Sequence, residues 1–569
     1  MKFIGKLLLS IFLLLLLLII LIYVVLQTSW GAGWVGKYIT GHSGYQLTLG
    51  KIDHNWTSPS EISLDNVTFG YKGRPPIVVA KQLTAGFSAR QLTDPFHFYR
   101  IQLQDGTLNL NSTSPSLPFA ADVLQLSGMA VQSPHGGWRL NGQNINGGIT
   151  PWQPQADYPL GRDARFQLSA SSLTLNGIPA ENVLVQGEIN DHRLRLDNLG
   201  ADISQGELTG NARRDENGDW QVDNLRLSNV RMQTDKTLDA FLRQVSQVPK
   251  ITINRFDLID ARMEGQNWAF NDLDLTLRDV TFQDGDWSSD DGSLSFNATD
   301  LIDGAIHLDD PIADLAFSPR GIEIRQFSGR WEGGLMRTSG RWLRDGRQLA
   351  LDELMVAGLE YTLPANWRES WMQPLPSWLA GVSVAKFTAN RNLLIDINPD
   401  FPFQITALDG YGQQLELARN HQWGIWSGSL TLNGSDATFN KIDIRRPSLT
   451  LNADPAKITI SELSAFVGDG LLEATAVMNQ QPTRDFTVNL NGRAVAPNIL
   501  EHWGWPTVPF SGNGNLQLTL TGRLPADLPL RPSLNGRLQV QGSNGQALNQ
   551  VMEHGALAGM EPAATPAQQ

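Results

Sequence analysis

The amino-acid sequence predicts a membrane-anchored, mainly β protein, with one N-terminal transmembrane helix followed by a long antiparallel β body and a few short helices. Three observations support this fold class. An uncharged run of Leu and Ile lies near the N-terminus, short stretches of alternating apolar and polar residues fill most of the remaining chain, and helical periodicity is sparse.

The apolar run extends from Leu7 to Leu26 and is long enough to cross a bilayer, since about 20 helical residues span the hydrocarbon core. No small-residue cleavage site follows it, so we interpret it as an uncleaved anchor; a cleaved signal peptide is the alternative. Lys2 and Lys6 precede the run, whereas only Lys37 follows it closely. The positive-inside rule therefore predicts a single-pass protein with a cytoplasmic N-terminus and its body on the far side.

The composition and the motifs argue against several classes of function. The chain has no cysteine, a formal net charge of -13 and no basic run, so we expect neither disulfides nor nucleic-acid binding. The nine histidines are scattered without a zinc-binding pair, and an Asp-rich stretch near residue 286 lacks the complete calcium-loop pattern. We therefore expect no catalytic residue, no metal site, no cofactor and no enzymatic activity.

The body is dominated by alternating stretches that end in Asn-Gly, Asp-Gly or similar pairs. Ile101–Leu110 reads IQLQDGTLNL, Phe166–Leu175 reads FQLSASSLTL and Leu516–Leu520 reads LQLTL. Each places aliphatic side chains on one face and polar side chains on the other. This pattern is typical of half-buried antiparallel strands joined by tight turns.

One spaced pattern recurs along the body: apolar-x-apolar-x-x-apolar-x-x-x-apolar-x-x-Gly-x-apolar. It begins at Leu194, Ile322 and Ile458, and a weaker copy begins at Leu47 with Pro59 in place of the Gly. We interpret each copy as a strand, a turn whose Gly supplies a positive φ, and a returning strand. Chance agreement in so Leu-rich a chain is the alternative.

Helical periodicity is confined to short segments, including Thr237–Val248, and the last residues are rich in Ala, Pro and Gln. The predicted organisation is a cytoplasmic N-terminus and anchor at 1–27, an N-terminal β region at 28–232, a short amphipathic helix at 233–250, a continuing β region at 251–554 and a disordered tail at 555–569.

A sheet with one apolar face must cover that face, because exposing it to water costs about 25 cal/mol per Å². Helices are too few to do so. Two arrangements could cover it: two sheets that pack as closed sandwiches, or one sheet that curls into a groove that holds acyl chains. Periodicity alone does not distinguish between them.

Several segments together resemble the AsmA family of Gram-negative envelope proteins. They are GYQLTLGKIDHNWTSPSEISLDNVTF at 44–69, VVAKQLTAGFSARQL at 78–92, IQLQDGTLNL at 101–110, NLNGRAVAPNILEHWGW at 489–505 and FSGNGNLQLTLTGRL at 510–524. The resemblance covers the whole chain, and its specificity lies in the order of these loose motifs.

The resemblance implies an inner-membrane anchor and a periplasmic β-taco, a long twisted antiparallel sheet whose hydrophobic groove carries phospholipid in support of outer-membrane biogenesis. This chain is much shorter than the larger members of that family. The expected partners are the inner membrane, phospholipid and envelope proteins, and the alternative is a structural or regulatory protein of closed sandwiches that binds assembly partners. The predicted groove residues are Leu194, Leu196, Leu199, Ile322, Ile324, Phe327, Ile458, Ile460 and Leu463.

Overall fold

The computed structural model describes residues 2–109, 117–133, 140–155, 158, 160–175, 177–246, 250–524 and 529–559. The chain divides into two compact units. Unit 1 comprises Met1–Gln266 and Leu273–Asp286, and unit 2 comprises Asn267–Asp272 and Trp287–Gln569. Both are built mainly of strands, and a long apolar helix begins the chain, so the predicted membrane-anchored, mainly β fold class is confirmed.

The N-terminal apolar run forms helix α1 (Lys2–Leu26), followed at once by helix α2 (Ser29–His42). Within Ile4–Leu26 of α1, the most apolar stretch of 18 residues has a mean hydropathy of 3.4 and none of it is buried by the protein, which fits a single-pass anchor. Thr28 caps α2, since its side chain accepts a hydrogen bond from the Gly31 N–H at 3.2 Å.

The strands of unit 1 are short to medium in length and are interrupted by one further helix. They are β1 (Tyr45–Thr48), β2 (Lys51–His54), β3 (Glu61–Tyr71), β4 (Val78–Gly86), β5 (His97–Asn109), β6 (Ala120–Ser133), β7 (Leu140–Thr150), β8 (Asp163–Leu175), β9 (Ile178–Asn190), β10 (Arg193–Ile203), β11 (Gly206–Arg214), β12 (Trp220–Ser228), β13 (Arg231–Gln233), helix α3 (Leu238–Ser246) and β14 (Ile251–Gly265). A 3₁₀ turn at Ala89–Leu92 precedes β5.

Two strands, β15 (Trp268–Gln283) and β16 (Asp286–Trp287), contribute residues to both units. Unit 2 continues with β17 (Gly292–Asn297), β18 (Asp300–Asp303), β19 (Ile306–Ser318), β20 (Gly321–Trp331), β21 (Gly334–Leu343), β22 (Gln348–Ala357), β23 (Glu360–Thr362), helix α4 (Trp367–Met372), β24 (Gly381–Asp396), β25 (Phe403–Arg419), β26 (Gln422–Asn433), β27 (Asp436–Phe439), β28 (Ile442–Ala453), β29 (Lys457–Val467), β30 (Gly470–Asn479), β31 (Asp485–Val495), helix α5 (Ile499–His502), β32 (Gly514–Arg523), β33 (Asn535–Gly542), β34 (Ala547–Glu553) and β35 (Ala556–Gly559). Two more 3₁₀ turns lie at Asp345–Arg347 and Arg531–Ser533.

Most neighbouring strands pair in antiparallel fashion, as the tight-turn pattern predicts. Strand β5 pairs in parallel with β6. Strands β12 and β13 both pair in parallel with β14, and strands β22 and β23 both pair in parallel with β24. A parallel pair needs a connection that returns along the whole strand. Helices α3 and α4 lie in two of these connections, which gives the sparse helical segments a topological role.

The recurring apolar spacing has a clear structural basis in strands β10, β20 and β29. In each of them the register shifts between the second and third apolar positions, between Leu196 and Leu199 in β10 and at the matching positions in the other two. Two residues there face one on the partner strand, which is a β-bulge. Without the bulge the third apolar residue would point to the opposite face, so the bulge keeps all three on one face.

The Gly of the repeat does not have the positive φ that the sequence analysis assigns to it, and that prediction is wrong. Gly206, Gly334 and Gly470 begin the returning strand, and the left-handed conformation falls on the preceding turn, as at Gly333 with φ 74°. An added Cβ at the three positions would lie 2.3, 2.4 and 2.5 Å from a main-chain atom of the adjacent strand segment. Glycine is needed there because the neighbouring backbone approaches closely.

Many bulges carry a residue with positive φ and a main-chain N–H that the strand ladder leaves free. Side-chain oxygens of Asn and Asp on the next strand accept hydrogen bonds from such groups. Asn146 Oδ1 accepts from the Gly128 N–H at 2.9 Å, and Asp409 Oδ1 accepts from the Arg391 N–H at 2.8 Å. These contacts satisfy donors that would otherwise be unpaired within the bent strands.

The C-terminal segment differs from the predicted tail at 555–569. His554 and Gly555 form a turn, with φ values of 49° and 77°, and β35 then pairs antiparallel with β34. The sequence did not predict this hairpin because Ala556–Gly559 contains only small or aliphatic residues and shows no alternation of apolar and polar side chains. Residues 560–569 lie outside the described part of the chain.

Candidate functional site

Unit 1 contains an apolar cavity of about 390 Å³. It lies on the face of the sheet formed by β1 to β6, where apolar side chains such as Ile101 and Leu103 alternate with polar residues on the other face. Helix α2 closes one side through Val35 and Ile39. The remaining lining residues are Leu47, Leu49, Ile52, Ile62, Leu64, Val67, Phe69, Val78, Leu83, Ala85, Phe87, Phe98, Leu108, Phe119, Leu124 and Trp152.

Aromatic rings form part of the wall of the unit 1 cavity. Phe69 and Phe119 lie 5.3 Å apart between ring centroids, Phe119 lies 6.1 Å from Trp152, and Phe87 meets Phe98 edge-on at 5.4 Å. Every lining side chain is apolar, so the cavity offers neither a charge nor a polar anchoring group. Its chemistry suits hydrocarbon and not a polar metabolite.

Unit 2 has a second apolar cavity, of about 440 Å³. Strands β24 to β31 form it, and only Ser448 and Ser464 contribute polar side chains. The other lining residues are Leu394, Phe401, Ile405, Leu408, Leu432, Gly434, Phe439, Ile444, Pro447, Leu449, Leu463, Ala465, Leu472, Leu490 and Trp503. Leu463 is 42% exposed, so the cavity is accessible from solution.

The connection between β31 and β32 covers one side of the unit 2 cavity. Its Trp503 Nε1 donates a hydrogen bond to the Phe439 carbonyl at 3.2 Å. Trp505 is buried nearby, and its Nε1 donates to Oε1 of the fully buried Gln550 at 2.9 Å. These tryptophans hold a non-strand segment against the apolar face through both packing and directional hydrogen bonds.

A larger concavity in unit 1, of about 710 Å³, has a mixed lining of charged, polar and apolar residues. Its charged lining residues are Arg165, Glu188, Arg195 and Asp197. The guanidinium of Arg195 contacts Glu188 at 3.0 Å and Asp197 at 2.8 Å, and these partners raise the pKa of Arg195, with the hydrogen bond to Asp197 as the main cause. Its charges are already paired, so the concavity does not present a free ionic group for a ligand.

In the described part of the chain, Asp300, His307 and Asp309 are the side chains close enough together to hold a metal ion. The His307 Nε2 atom lies 3.1 Å from a carboxylate oxygen of each aspartate. Its hydrogen bond, followed by one from Asn271, lowers the pKa of Asp300. The cluster is partly exposed, and the contacts of His307 with the two aspartates account for its geometry.

The structure places the nine predicted groove residues on strands β10, β20 and β29. Those of β10 lie in unit 1, and those of β20 and β29 lie in unit 2. Leu194 and Leu196 pack against the unit 1 core, Ile324 packs in a smaller unit 2 cluster, and Leu463 lines the unit 2 cavity. Leu199, Ile322, Phe327, Ile458 and Ile460 are half-buried and line neither apolar cavity.

Sequence reasoning missed most residues that line the cavities. The weak fourth copy of the repeat contained a signal, since its residues Leu47, Leu49 and Ile52 all line the unit 1 cavity. The alternation of β31 contained another, because Leu490 lines the unit 2 cavity while its neighbours Asn489 and Asn491 are exposed. The Trp-rich segment 498–505 was a further signal, since its Trp503 lines the unit 2 cavity, whereas nothing local in the sequence marks the contribution of α2.

Together, the exposed apolar helix and the two β units define a class of protein: a membrane-anchored β protein with an apolar cavity in each unit. The chain is 50% identical over 565 residues to the AsmA family protein YicH of Escherichia coli (strain K12), a match that covers 99% of both chains. The chain therefore belongs to the AsmA family, as its sequence motifs indicated. No protein-family model and no solved structure matches it.

Proposed function

We propose that this chain is a non-enzymatic, inner-membrane-anchored protein whose body lies in the periplasm and binds or transfers phospholipid through its apolar cavities. The observation that carries the proposal is the lining of the unit 1 cavity, in which all side chains are apolar. A cavity of this chemistry gains affinity by removing hydrocarbon from water, at about 25 cal/mol for each Å² buried. Head groups would stay in water while acyl chains occupy the cavities.

Membrane attachment and orientation support the same proposal. Helix α1 is apolar, and none of its most apolar stretch is buried by the protein, while Lys2 and Lys6 favour a cytoplasmic N-terminus. Burial of an acyl chain is similarly favourable in a bilayer and in an apolar cavity, so exchange between them is nearly isoenergetic. Direction would have to come from other envelope components, and a role in outer-membrane biogenesis is the process that the family resemblance suggests.

The experiment is site-specific photo-crosslinking in cells grown with radioactive phosphate. The full chain carries benzoyl-phenylalanine in place of Phe98 in the unit 1 cavity or Phe439 in the unit 2 cavity, which keeps an aromatic ring at each site. Matched controls carry it at Gln102 and Asn489, which lie on the polar face of the same units. Irradiation is expected to attach labelled phospholipid at the cavity positions and not at the controls.

The rival function, a structural or regulatory protein that binds envelope partners through closed modules, predicts a different pattern. Crosslinks to proteins at the polar-face positions, with no labelled lipid at Phe98 or Phe439, would replace the lipid proposal with the rival. Equal lipid labelling at all four positions would indicate non-specific contact with membranes and would also contradict the proposal.

A further inference from the structure

Beyond the anchor, several large apolar side chains of unit 1 are exposed at one end of its strands. Leu92 is 89% exposed, Trp56 is 77% exposed and Phe96 is 62% exposed. We call these three residues the apolar edge. Such a group of exposed side chains is unusual on a surface that meets only water, and it indicates an interaction site.

Strand register places the apolar edge on a single border of the sheet. His54 pairs with Ile62, and Gly86 pairs with both Glu61 and Arg100, so the connections at 55–60 and 87–96 leave the sheet on the same side. The Phe87 N–H donates to the Ser60 carbonyl at 2.7 Å and ties the two connections together. Glu61 strengthens the border by accepting hydrogen bonds from Tyr99 and Arg100, both at 2.5 Å.

Contacts with α1 set the height of this border relative to the membrane. Tyr23, in the last turn of the apolar run, shares a hydrogen bond with His54 at 2.8 Å, and its ring lies 5.8 Å from that of Trp56. Tyr23 is three residues from the end of α1, or roughly 4.5 Å along the helix axis. Trp56 therefore lies beside the end of the membrane-spanning segment, where Trp and Tyr side chains are favoured.

We propose that the apolar edge inserts into the interfacial layer of the leaflet at the C-terminal end of α1 and docks unit 1 onto the phospholipid bilayer. Phospholipid is the partner because the anchor holds the edge at the bilayer boundary and no protein needs to be recruited there. Amphipathic helices that lie on a bilayer bury their apolar face to roughly 5–10 Å, and we expect a comparable depth for the apolar edge. Docking acts together with α1 as a second membrane contact and fixes the orientation of the sheet.

Docking also gives lipid a route from the bilayer into the unit 1 cavity, an inference that rests on the lipid-binding function proposed above. Ala85, Phe87 and Phe98 line the unit 1 cavity and lie next to the connections that carry the apolar edge. An inserted edge places that side of the cavity against the acyl region, so hydrocarbon passes between bilayer and cavity with little exposure to water.

The absence of cysteine allows the docking to be measured directly in the full chain. Single variants Leu92→Cys and Phe96→Cys are labelled with an environment-sensitive fluorophore and reconstituted into vesicles of phosphatidylethanolamine and phosphatidylglycerol, with or without lipids that carry a quencher high on the acyl chain. The matched control is Ile178→Cys, an apolar residue that is 61% exposed at the opposite border of the same unit.

We expect the labels at positions 92 and 96 to lose most of their fluorescence with the quencher lipids, and the label at 178 to retain it. Equal behaviour at the three positions would overturn the docking proposal, and a label at 92 or 96 that is protected only by an added protein would assign the edge to a protein partner instead.

A second measurement separates docking from lipid binding. In the Leu92→Glu/Phe96→Glu variant, lipid crosslinking at Phe98 is expected to fall strongly, whereas Ile178→Glu is expected to leave it unchanged. Quenching at 92 and 96 without any lipid crosslink at Phe98 would support docking and refute the lipid-binding function. Lipid crosslinking that persists in the double variant would refute the role of the edge in lipid access.

Discussion

Replacement of Gly334 tests why the repeat requires glycine. An added Cβ would lie 2.4 Å from the Leu359 nitrogen and 2.6 Å from the Gly358 carbonyl carbon, so main chain and not a flexible side chain must move. Overpacking of this kind costs about 1–3 kcal/mol. Such a loss corresponds to roughly 5–150-fold faster exchange of the local amide hydrogens. We expect this acceleration in hydrogen-exchange mass spectrometry of the peptides that cover Gly334–Leu343.

Asparagine substitutions distinguish this account from the one based on positive φ. Asn tolerates the left-handed conformation, and nothing lies within 4 Å of an added Cβ at Gly333, so Gly333→Asn is expected to leave exchange in β21 almost unchanged. Gly334→Asn is expected to accelerate it as strongly as Gly334→Ala does. If Gly334→Asn were silent and Gly333→Asn disruptive, the close-approach account would be refuted.

Three other changes test separate features of the structure. Asn146→Ala leaves the Gly128 N–H without its acceptor and is expected to destabilise β6 and β7 locally by about 1–3 kcal/mol, measured by hydrogen exchange; an unchanged rate would contradict the role of the bulge cap. The hydrogen bond from His307 lowers the pKa of Asp300 in the folded protein. The Asp300 carboxylate therefore stabilises the fold at pH values above the pKa of an unfolded aspartate, about 3.9, and this stabilisation is lost as the pH falls through the lower pKa of the folded state. The melting temperatures of wild type and Asp300→Asn should therefore differ at neutral pH and converge in acid, and a constant difference would argue against a stabilising hydrogen bond between His307 and Asp300. Leu463→Asp places a charge in the unit 2 cavity and is expected to abolish lipid crosslinking there while the circular dichroism of the strands persists; undiminished crosslinking would show that this cavity is not the lipid site.

The sequence predicted the secondary-structure class because both of its signals are local. The uncharged run that forms α1 needs only length and hydropathy, and alternation such as that of Ile101–Leu110 needs only the two-residue period of a strand. Whether neighbouring strands run parallel or antiparallel is not determined by the local sequence. The strands β5 and β6 alternate like all the others, yet they pair in parallel, because alternation is the same for both strand directions.

The candidate site was less predictable for the same reason. Alternation identifies the apolar face of a strand, as in β31. A cavity forms only where a second element packs over that face without filling the space between them. Helix α2 does so in unit 1, and Trp503 with its connection does so in unit 2. Neither α2 nor Trp503 belongs to the repeat. The predicted groove residues all lie on strands of the repeat, which contribute to the apolar face of the sheet, and only Leu463 among them lines a cavity.

The repeat explains how β10, β20 and β29 keep one face apolar despite their irregular register. A spacing of i, i+2 and i+5 is incompatible with a regular strand, since the odd step moves the third side chain to the other face. The shared bulge removes this conflict: in β10 the two bulge residues, Asp197 and Asn198, face one residue of β11 and are exposed, while Leu196 and Leu199 remain half-buried. Bulges also bend the strands in which they occur. The same bulge therefore produces curvature and preserves the apolar face, which are the two properties that a sheet needs in order to hold hydrocarbon.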